Sequence, residues 1–294
     1  MTLAFVVRPV VSAAPITSRP LKDTVAAAAW WPLHQKAGDV SVACALGRGA
    51  PALALAGAEN AIWTANWGCA TPDGSAHRLQ APTADAYIQS LLRLDTLAGG
   101  EILFGWEIAH DGDITANETL WSWGRPQSTA GCRGQYAMRL NSSESWFMST
   151  TAGEGNGGTI NSTLSGTGTT GITAIQQCVL SITAYSGSNF TFAIYRNVVG
   201  TGQQTPRSVQ VDLLQNGGYL PSGDASSIFS VFARQSAAAP TWDTPMGAAA
   251  GSNARVNNLW IARLFQADSA AAQACLDSMT LEPREFPRYL RKLA

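Results

Sequence analysis

The sequence predicts an all-β sandwich or barrel. Short segments alternate apolar and polar residues with the two-residue period of a half-buried strand. Turn-forming residues separate nearly all of these segments, and helical periodicity appears only near the C-terminus. About ten strands with almost no helix are typical of a sandwich or barrel.

The composition is that of a folded chain with few charges. Of the 294 residues, 46% are hydrophobic and 13% are charged, which is about half the usual charged fraction. The net charge is −1 and no long run of Lys or Arg occurs, so nucleic acid is not predicted as a partner. No stretch of about 18 apolar residues occurs, so no membrane association is predicted either.

Residues 1–28 are predicted to form an extended N-terminal docking arm. Three prolines in this segment oppose a helix because each lacks a backbone N–H and extends the residue before it. A disordered terminus is the alternative. The arm is favoured because it carries apolar side chains that would be costly to leave in water, which are Phe5, Val6, Val7, Val10 and Val11.

Neither secretion nor a disulfide framework is predicted. Arg8 and Pro9 interrupt the apolar start, which is too short for the core of a signal peptide. The five cysteines are odd in number and widely spaced, with no CxxC pair, so we expect free thiols and no zinc site. Cys178 alternates in phase with Leu180 and Ile182, which predicts a buried thiol.

A single β-sandwich domain is predicted over residues 29–282. Its expected strands are Ala52–Ala56, Tyr87–Leu94, Glu101–Ala109, Thr119–Trp123, Gln135–Leu140, Val179–Tyr185, Phe190–Tyr195, Val209–Leu213, Ile228–Ala233 and Val256–Leu264. The Gly- and Thr-rich residues 149–171 are interpreted as a long surface loop or an irregular hairpin inside this domain. Good helix formers over Ala270–Met279 predict one short helix, followed by a basic tail at 283–294.

Three segments resemble the laminin-G-like, concanavalin A-like lectin/glucanase superfamily, especially its members in bacteriophage virion proteins. They are AWWPLHQKAGDV from residue 29, VLSITAYSGSNFTFAIYRNVVG from residue 179 and VNNLWIARLFQADSAAAQACLDSM from residue 256. The resemblance implies a concanavalin A-like jelly-roll sandwich. Together with the arm and the helix, the predicted fold is such a sandwich with an extended N-terminal arm and one short C-terminal helix.

The glucanase branch of this superfamily carries an E-x-D-x-E strand, which this chain lacks. The nearest acids are Glu107, Asp111 and Asp113, and a glycine predicts that the last two lie in a turn. A glycosidase needs two carboxyls at a fixed separation, so no catalytic residue is predicted and the protein is expected not to be an enzyme. His34, His77 and His110 lack paired spacing and are interpreted as surface or hydrogen-bonded core residues, and no metal or cofactor is predicted.

Sugar binding remains open at the sequence level. Aromatic faces stack on sugar rings, and short polar side chains hold hydroxyls. Asp111, Asp113 and Asn117 are candidates in one loop region, and Trp242 is a candidate for an exposed aromatic in another loop. Trp121 and Trp123 share a strand face and are predicted to be core instead.

These observations favour a structural or adhesion component of a bacteriophage virion, with the arm docked on neighbouring subunits. The expected partners are other virion proteins and further copies of this chain. A carbohydrate-binding, receptor-recognition module acting on a host surface glycan is the alternative, and a glycan hydrolase is a third possibility. The expected location is the virion, after synthesis in the host cytoplasm.

Overall fold

The fold is taken from a computed structural model of the chain. It describes residues 25–33, 39–46, 49–56, 62–63, 69–70, 78–111, 114, 117–125, 134–141, 145–151, 159–164, 174–214, 220–235, 242–243 and 253–281. The predicted arm residues from Phe5 to Val11 and the tail 283–294 lie outside these ranges. Residues 25–28 of the predicted arm belong to the first strand.

Strands dominate the described residues. They are β1 (Val25–Trp31), β2 (Ser41–Val42), β3 (Leu53–Ala56), β4 (Ile62–Trp63), β5 (Cys69–Ala70), β6 (Arg78–Gln80), β7 (Glu101–Asp111), β8 (Glu118–Arg125), β9 (Gly134–Leu140), β10 (Trp146–Thr151), β11 (Thr159–Thr163), β12 (Gln176–Ser186), β13 (Asn189–Val198), β14 (Gly202–Asp212), β15 (Ile228–Val231), β16 (Arg234–Gln235), β17 (Trp242–Asp243) and β18 (Asn253–Leu264). The two helices are α1 (Ala86–Leu92) and α2 (Ala271–Leu281).

Two antiparallel sheets form the sandwich, which confirms the predicted fold class. In sheet A the order is β14-β13-β12-β7-β18-β5-β4, and β1 also pairs with β18. In sheet B the order is β11-β10-β9-β8-β15-β6-β3-β2. A separate small hairpin joins β16 and β17. None of the helices within the described ranges is long and apolar enough to cross a membrane.

Aromatic side chains fill the space between the two sheets. Phe104 of sheet A stacks on Trp121 of sheet B with ring centroids 4.1 Å apart and planes 6° apart. Tyr136 meets the Phe104 and Trp121 rings edge-on, and its hydroxyl donates to the Leu92 carbonyl at 2.8 Å. Trp121 and Trp123 are fully buried, as predicted. This cluster therefore joins both sheets to helix α1.

A second apolar cluster lies on the outer face of sheet A, under helix α2. It includes Leu103, Val179, Trp260, Leu276 and Met279, all of which are buried. These outer-face residues are covered rather than exposed, because α2 packs across β12 and β13. The helix turns a two-layer sandwich into three layers locally.

Glu101, the first residue of β7, anchors the start of helix α2. The Ser181 hydroxyl donates to one carboxylate oxygen at 2.5 Å, and the backbone N–H of Asp268 donates to the other at 3.0 Å. Burial raises the pKa of the Glu101 carboxyl, and these two hydrogen bonds oppose the rise. Glu101 is 1% exposed, so its role is confined to the interior.

One predicted strand is a helix. The segment Tyr87–Leu94 was expected to be extended, but α1 covers most of it. The Asp85 side chain accepts from the backbone N–H of Ile88 at 2.9 Å, which caps the helix. Ile88, Leu91 and Leu92 are buried at helical spacing, so the apolar pattern here has a period of 3.6 rather than 2. The predicted short C-terminal helix is confirmed as α2, and α1 is a second helix that the sequence reasoning missed.

The described cysteines are free. Cys178 and Cys275 are buried, and Cys44 is half-buried. Burial raises the pKa of Cys178 to about 12 and raises that of Cys275 as well, so neither is a thiolate near neutral pH. Cys178 lies between the sheets, as its strand phase predicted. The side chains of Cys69 and Cys132 lie outside the described residues.

Candidate functional site

The loop residues proposed for sugar binding are only partly described. Asn117 is exposed and directly precedes β8. Asp111 ends β7, but its side chain and the whole of Asp113 lie outside the described residues. A shared site for these three residues stays a prediction.

Trp242 lies on strand β17 and is half-buried. The guanidinium carbon of Arg78 sits 3.8 Å from the centroid of its ring, which is a cation–π contact. Burial lowers the pKa of Arg78 to about 10, and the side chain also donates to Gln80 Oε1 at 2.8 Å. One face of the Trp242 ring is therefore occupied by the protein's own arginine.

A row of polar side chains crosses sheet A on a line perpendicular to its strands. Cross-strand pairing places Glu107 of β7 between Asn257 of β18 and Gln177 of β12. The line continues to Asn197 of β13 and to Gln203 of β14. We call these five residues the polar row. The five residues share one face because residues directly opposite each other point to the same side of a sheet. This is the outer face, because Glu107 lies four residues after Leu103, a member of the cluster under α2, on the same strand.

Glu107 is the centre of the row. One carboxylate oxygen, Oε1, accepts a hydrogen bond from Gln177 Nε2 at 3.1 Å. The other, Oε2, accepts from Asn257 Nδ2 at 3.2 Å and from Asn258 Nδ2 at 3.0 Å. Three amide groups from two neighbouring strands thus fix the carboxylate in one orientation.

Gln177 links the carboxylate to the next strand and to helix α2. Its Oε1 accepts from Asn197 Nδ2 at 2.9 Å, and its Nε2 also donates to the Met279 carbonyl at 3.2 Å. These contacts hold both the oxygen and the nitrogen of the Gln177 amide, and the side chain is 9% exposed. The amide chain is therefore a rigid array and not a set of independent surface groups.

The exposed end of the row meets helix α2. Gln203 donates to Asp277 Oδ1 at 2.7 Å. Gln273 of the helix donates to both Gln203 Oε1, at 3.1 Å, and Asp277 Oδ1, at 2.8 Å. This triad gives the row a second carboxylate, at the solvent end.

A backbone irregularity in β18 brings two consecutive asparagines to one carboxylate oxygen. Pairing of β18 with β7 is regular at Asn257, breaks, and resumes at Trp260. Asn258 has a φ of 51°, in the left-handed region that asparagine tolerates better than most residues. In a regular strand two adjacent side chains point to opposite faces. The irregularity removes that constraint, so both amides reach Glu107.

The row offers acceptors that its own donors do not satisfy. Within the described residues, no Lys, Arg or His forms an ion pair with Glu107. The Asn257 Oδ1 atom is buried and has no hydrogen-bond partner there. A carboxylate can accept about four hydrogen bonds and this one accepts three, so capacity remains.

A second polar pair lies between the sheets. His110 Nε2 and Glu118 Oε2 are 2.8 Å apart, and the two side chains are 0% and 1% exposed. His110 Nδ1 and Glu118 Oε1 have no partner among the described residues. His110 is thus a hydrogen-bonded core residue, one of the two environments predicted for it. No described group of three His, Cys, Asp or Glu side chains is arranged to hold a metal ion.

Sequence reasoning singled out Glu107 but missed its partners. The signal was present, because Asn is depleted in strands, and Asn197 and Asn257 both fall in strand-forming sequence. Glu107 and these partners lie side by side only because of the register between neighbouring strands, which no local sequence pattern determines.

Comparison with known proteins gives similar structures only. No protein-family description and no curated protein sequence matches the chain. Similar solved structures include arcelin-5, a lectin-like defence protein from Phaseolus vulgaris, at 11% identity and a TM-score of 0.46, covering 81% of this chain and 97% of that one. A Trypanosoma rangeli sialidase in complex with sialic acid has 12% identity and a TM-score of 0.44, over 86% of this chain and 33% of that one. The enzymatically active domain of tailspike protein 2 from bacteriophage CBA120 has 9% identity and a TM-score of 0.42, over 77% and 29%.

The expectation that the protein is not an enzyme is wrong. It was drawn from the missing E-x-D-x-E pattern, yet structures of similar fold include a sialidase and an enzymatically active tailspike domain. At these TM-scores and identities the similarities describe a general β-sandwich, and they assign no activity to this chain. The chain also spans about half or less of several of the structures it resembles.

Proposed function

We propose that this chain is a glycan-binding component of a bacteriophage virion, with the polar row as its saccharide site. The single observation that carries the proposal is the uncompensated carboxylate of Glu107 beside the unpartnered Oδ1 of Asn257. Sugar hydroxyls are neutral groups that both donate and accept hydrogen bonds. They match a row in which amide donors and carbonyl or carboxylate acceptors alternate.

A neutral ligand fits the row better than a charged one. A cationic ligand would form an ion pair with Glu107, but the surrounding amides would offer it donors as well as acceptors. An anion would be repelled by Glu107 and by Asp277 at the other end of the row. Ring hydroxyls can use both kinds of group at once.

Replacing Glu107 by Gln is expected to reduce glycan binding about tenfold or more. A hydrogen bond to a charged group contributes about 1.5–3 kcal/mol, and a tenfold change corresponds to about 1.4 kcal/mol. The measurement is binding of the purified full chain to an array of bacterial surface polysaccharides, followed by titration with the best ligand. The same incubations are assayed for new reducing ends, so turnover is detected together with binding.

Glu101→Gln is the matched control. Glu101 lies on the same strand and the same face, but it is sealed beneath the start of helix α2. We expect Glu101→Gln to bind glycan like the unmodified chain, and circular dichroism checks that both variants are folded. Equal binding by Glu107→Gln and the unmodified chain would contradict the polar row as the site. Absence of binding to any polysaccharide would contradict the function itself.

The virion part of the proposal assigns residues 1–24, the part of the predicted arm that precedes β1, to attachment on a neighbouring subunit. Its support is the apolar, proline-interrupted sequence of the segment up to Thr24 and the resemblance to virion β-sandwich proteins. Because β1 starts at Val25, deletion of residues 2–24 removes no described strand. We expect the shortened chain to keep its far-ultraviolet circular dichroism and thermal transition but to lose self-association in sedimentation velocity experiments. An unfolded shortened chain, or unchanged association, would contradict this role.

A further inference from the structure

Arg196 is buried between the two sheets, at the edge formed by β13 and β14. Its strand partners on the same face are Cys178 of β12 and Gln204 of β14. The side chain is 6% exposed and alternates in phase with the core residues Phe192 and Ile194. The guanidinium therefore projects into the interior and not toward the polar row on the opposite face.

Within the part of the chain that the structure describes, the Arg196 guanidinium has no hydrogen-bond or ion-pair partner. Its Nη1 is fully shielded from solvent. A buried charge without a counter-charge is strongly unfavourable, so a folded chain rarely keeps one unless something else pairs with it.

Arg263 shows how this protein treats a structural arginine of similar burial. Arg263 is 9% exposed, and its guanidinium donates to the Arg93 carbonyl at 2.7 Å and to the Thr96 carbonyl at 2.6 Å. A further donor meets the Leu91 carbonyl at 3.3 Å. Arg196 makes no such bonds, so a purely structural role of this kind does not account for it.

A second arginine increases the local positive charge. Arg207 of β14 pairs with Ile194, two residues before Arg196 on the same face, and it is exposed. The register of β13 against β14 shifts between Ile194 and Arg196, so Arg196 lies opposite Gln204 and Arg207 lies opposite Ile194. Burial lowers the pKa of Arg196; the Cys178 thiol opposes this effect, and the charge of Arg207 adds to it. The two cations are thus close enough for the charge of one to act on the other, and neither forms an ion pair with a described acid.

We propose that Arg196 and Arg207 form a binding site for an oxyanion, either a free inorganic anion or the carboxylate of an acidic saccharide. The planar guanidinium fork of Arg196 can hold a carboxylate or phosphate with two parallel hydrogen bonds. Gln204 stands beside it on β14; its Nε2 already donates to the Gly202 carbonyl at 2.9 Å, which leaves one amide N–H for a ligand. Arg207, at the solvent side, attracts the anion that Arg196 then binds.

The site is independent of the polar row. It lies on the inner face of sheet A, whereas Glu107, Gln177 and Asn197 lie on the outer face. The two sites also take ligands of different charge. An acidic glycan could nevertheless present its carboxylate here, which is why free anion and uronate are tested separately.

The test measures thermal unfolding of the full chain against rising concentrations of sodium phosphate, sodium sulfate and sodium glucuronate. Sodium chloride holds the ionic strength constant and serves as the reference. A ligand that binds only the folded state raises the unfolding temperature in a saturable way. We expect this saturable rise with at least one of the three anions, and the most effective anion identifies the source. No saturable rise with any of them overturns the proposal.

Two variants and a control locate the effect. Arg207→Gln is expected to weaken the anion dependence about tenfold while leaving stability in chloride unchanged, because Arg207 is exposed. Arg196→Met is expected to abolish the dependence and, in chloride, to be no less stable than the unmodified chain, since it removes an unpaired buried charge. Arg93→Gln, at a surface arginine that already pairs with Asp95, should retain the full response. An undiminished response in both Arg196→Met and Arg207→Gln overturns the assignment, and Arg207→Gln decides alone if Arg196→Met does not fold.

Discussion

Replacing Trp121 by Ala is expected to reduce the free energy of unfolding by about 3–5 kcal/mol. Trp121 is fully buried, and its ring stacks on Phe104 of the opposite sheet at 4.1 Å between centroids. Its removal leaves a cavity at the contact that joins the two sheets. It also removes the ring against which Tyr136 packs edge-to-face. Chemical denaturation followed by tryptophan fluorescence and circular dichroism measures the change.

Trp242→Ala is the matched control for this prediction. It removes the same side chain from a half-buried position on the small β16–β17 hairpin, where the ring contacts Arg78. We expect a loss of about 1 kcal/mol, because the transfer and cavity contributions both scale with burial. Equal losses in the two variants would contradict the assignment of Trp121 to the central core.

Replacing Glu118 by Met is expected to cost about 3–5 kcal/mol of stability. Glu118 is the buried partner of His110, so its replacement would leave the polar His110 ring inside the protein without a partner. The double replacement His110→Leu with Glu118→Met is expected to cost less than Glu118→Met alone, since an apolar pair leaves no polar atom unsatisfied. Equilibrium unfolding of the two single variants and the double variant gives the coupling energy.

The exposed pair of Arg93 and Asp95 provides the comparison. Its side chains are 39% and 28% exposed, and we expect Asp95→Ala to cost less than about 1 kcal/mol. If the double variant at His110 and Glu118 lost as much stability as the two single losses added together, the pair would be uncoupled and the prediction wrong.

The strands could be predicted where one face of the chain is buried. The segment from Glu101 to Asp111 alternates core and outer-face residues, so its local pattern states both its conformation and the direction of its side chains. Helix α1 was wrongly predicted as a strand because its short apolar run also fits a strand pattern. Asp85, as an N-cap, was the local signal that distinguishes the two.

The candidate sites could be predicted only in part. Glu107 was noticed as an acid in strand-forming sequence, but it was compared with Asp111 and Asp113, its neighbours along the chain. Its actual partners, Gln177 and Asn257, are 70 and 150 residues away. Arg196 entered the sequence analysis only as one letter of the segment that starts at residue 179. The absence of a counter-charge is a property of the folded environment, so no local pattern could indicate it.

The sequence by itself determined the class of the fold, the burial of Trp121, Trp123 and Cys178, and the position of the C-terminal helix. Each follows from residues close together in the chain, through hydrophobic period and helix propensity. Only the tertiary structure decided which polar side chains share a row and which arginine is left without an anion. Strand order and register set those relations, and a shift of one residue would send every side chain of a strand to the opposite face.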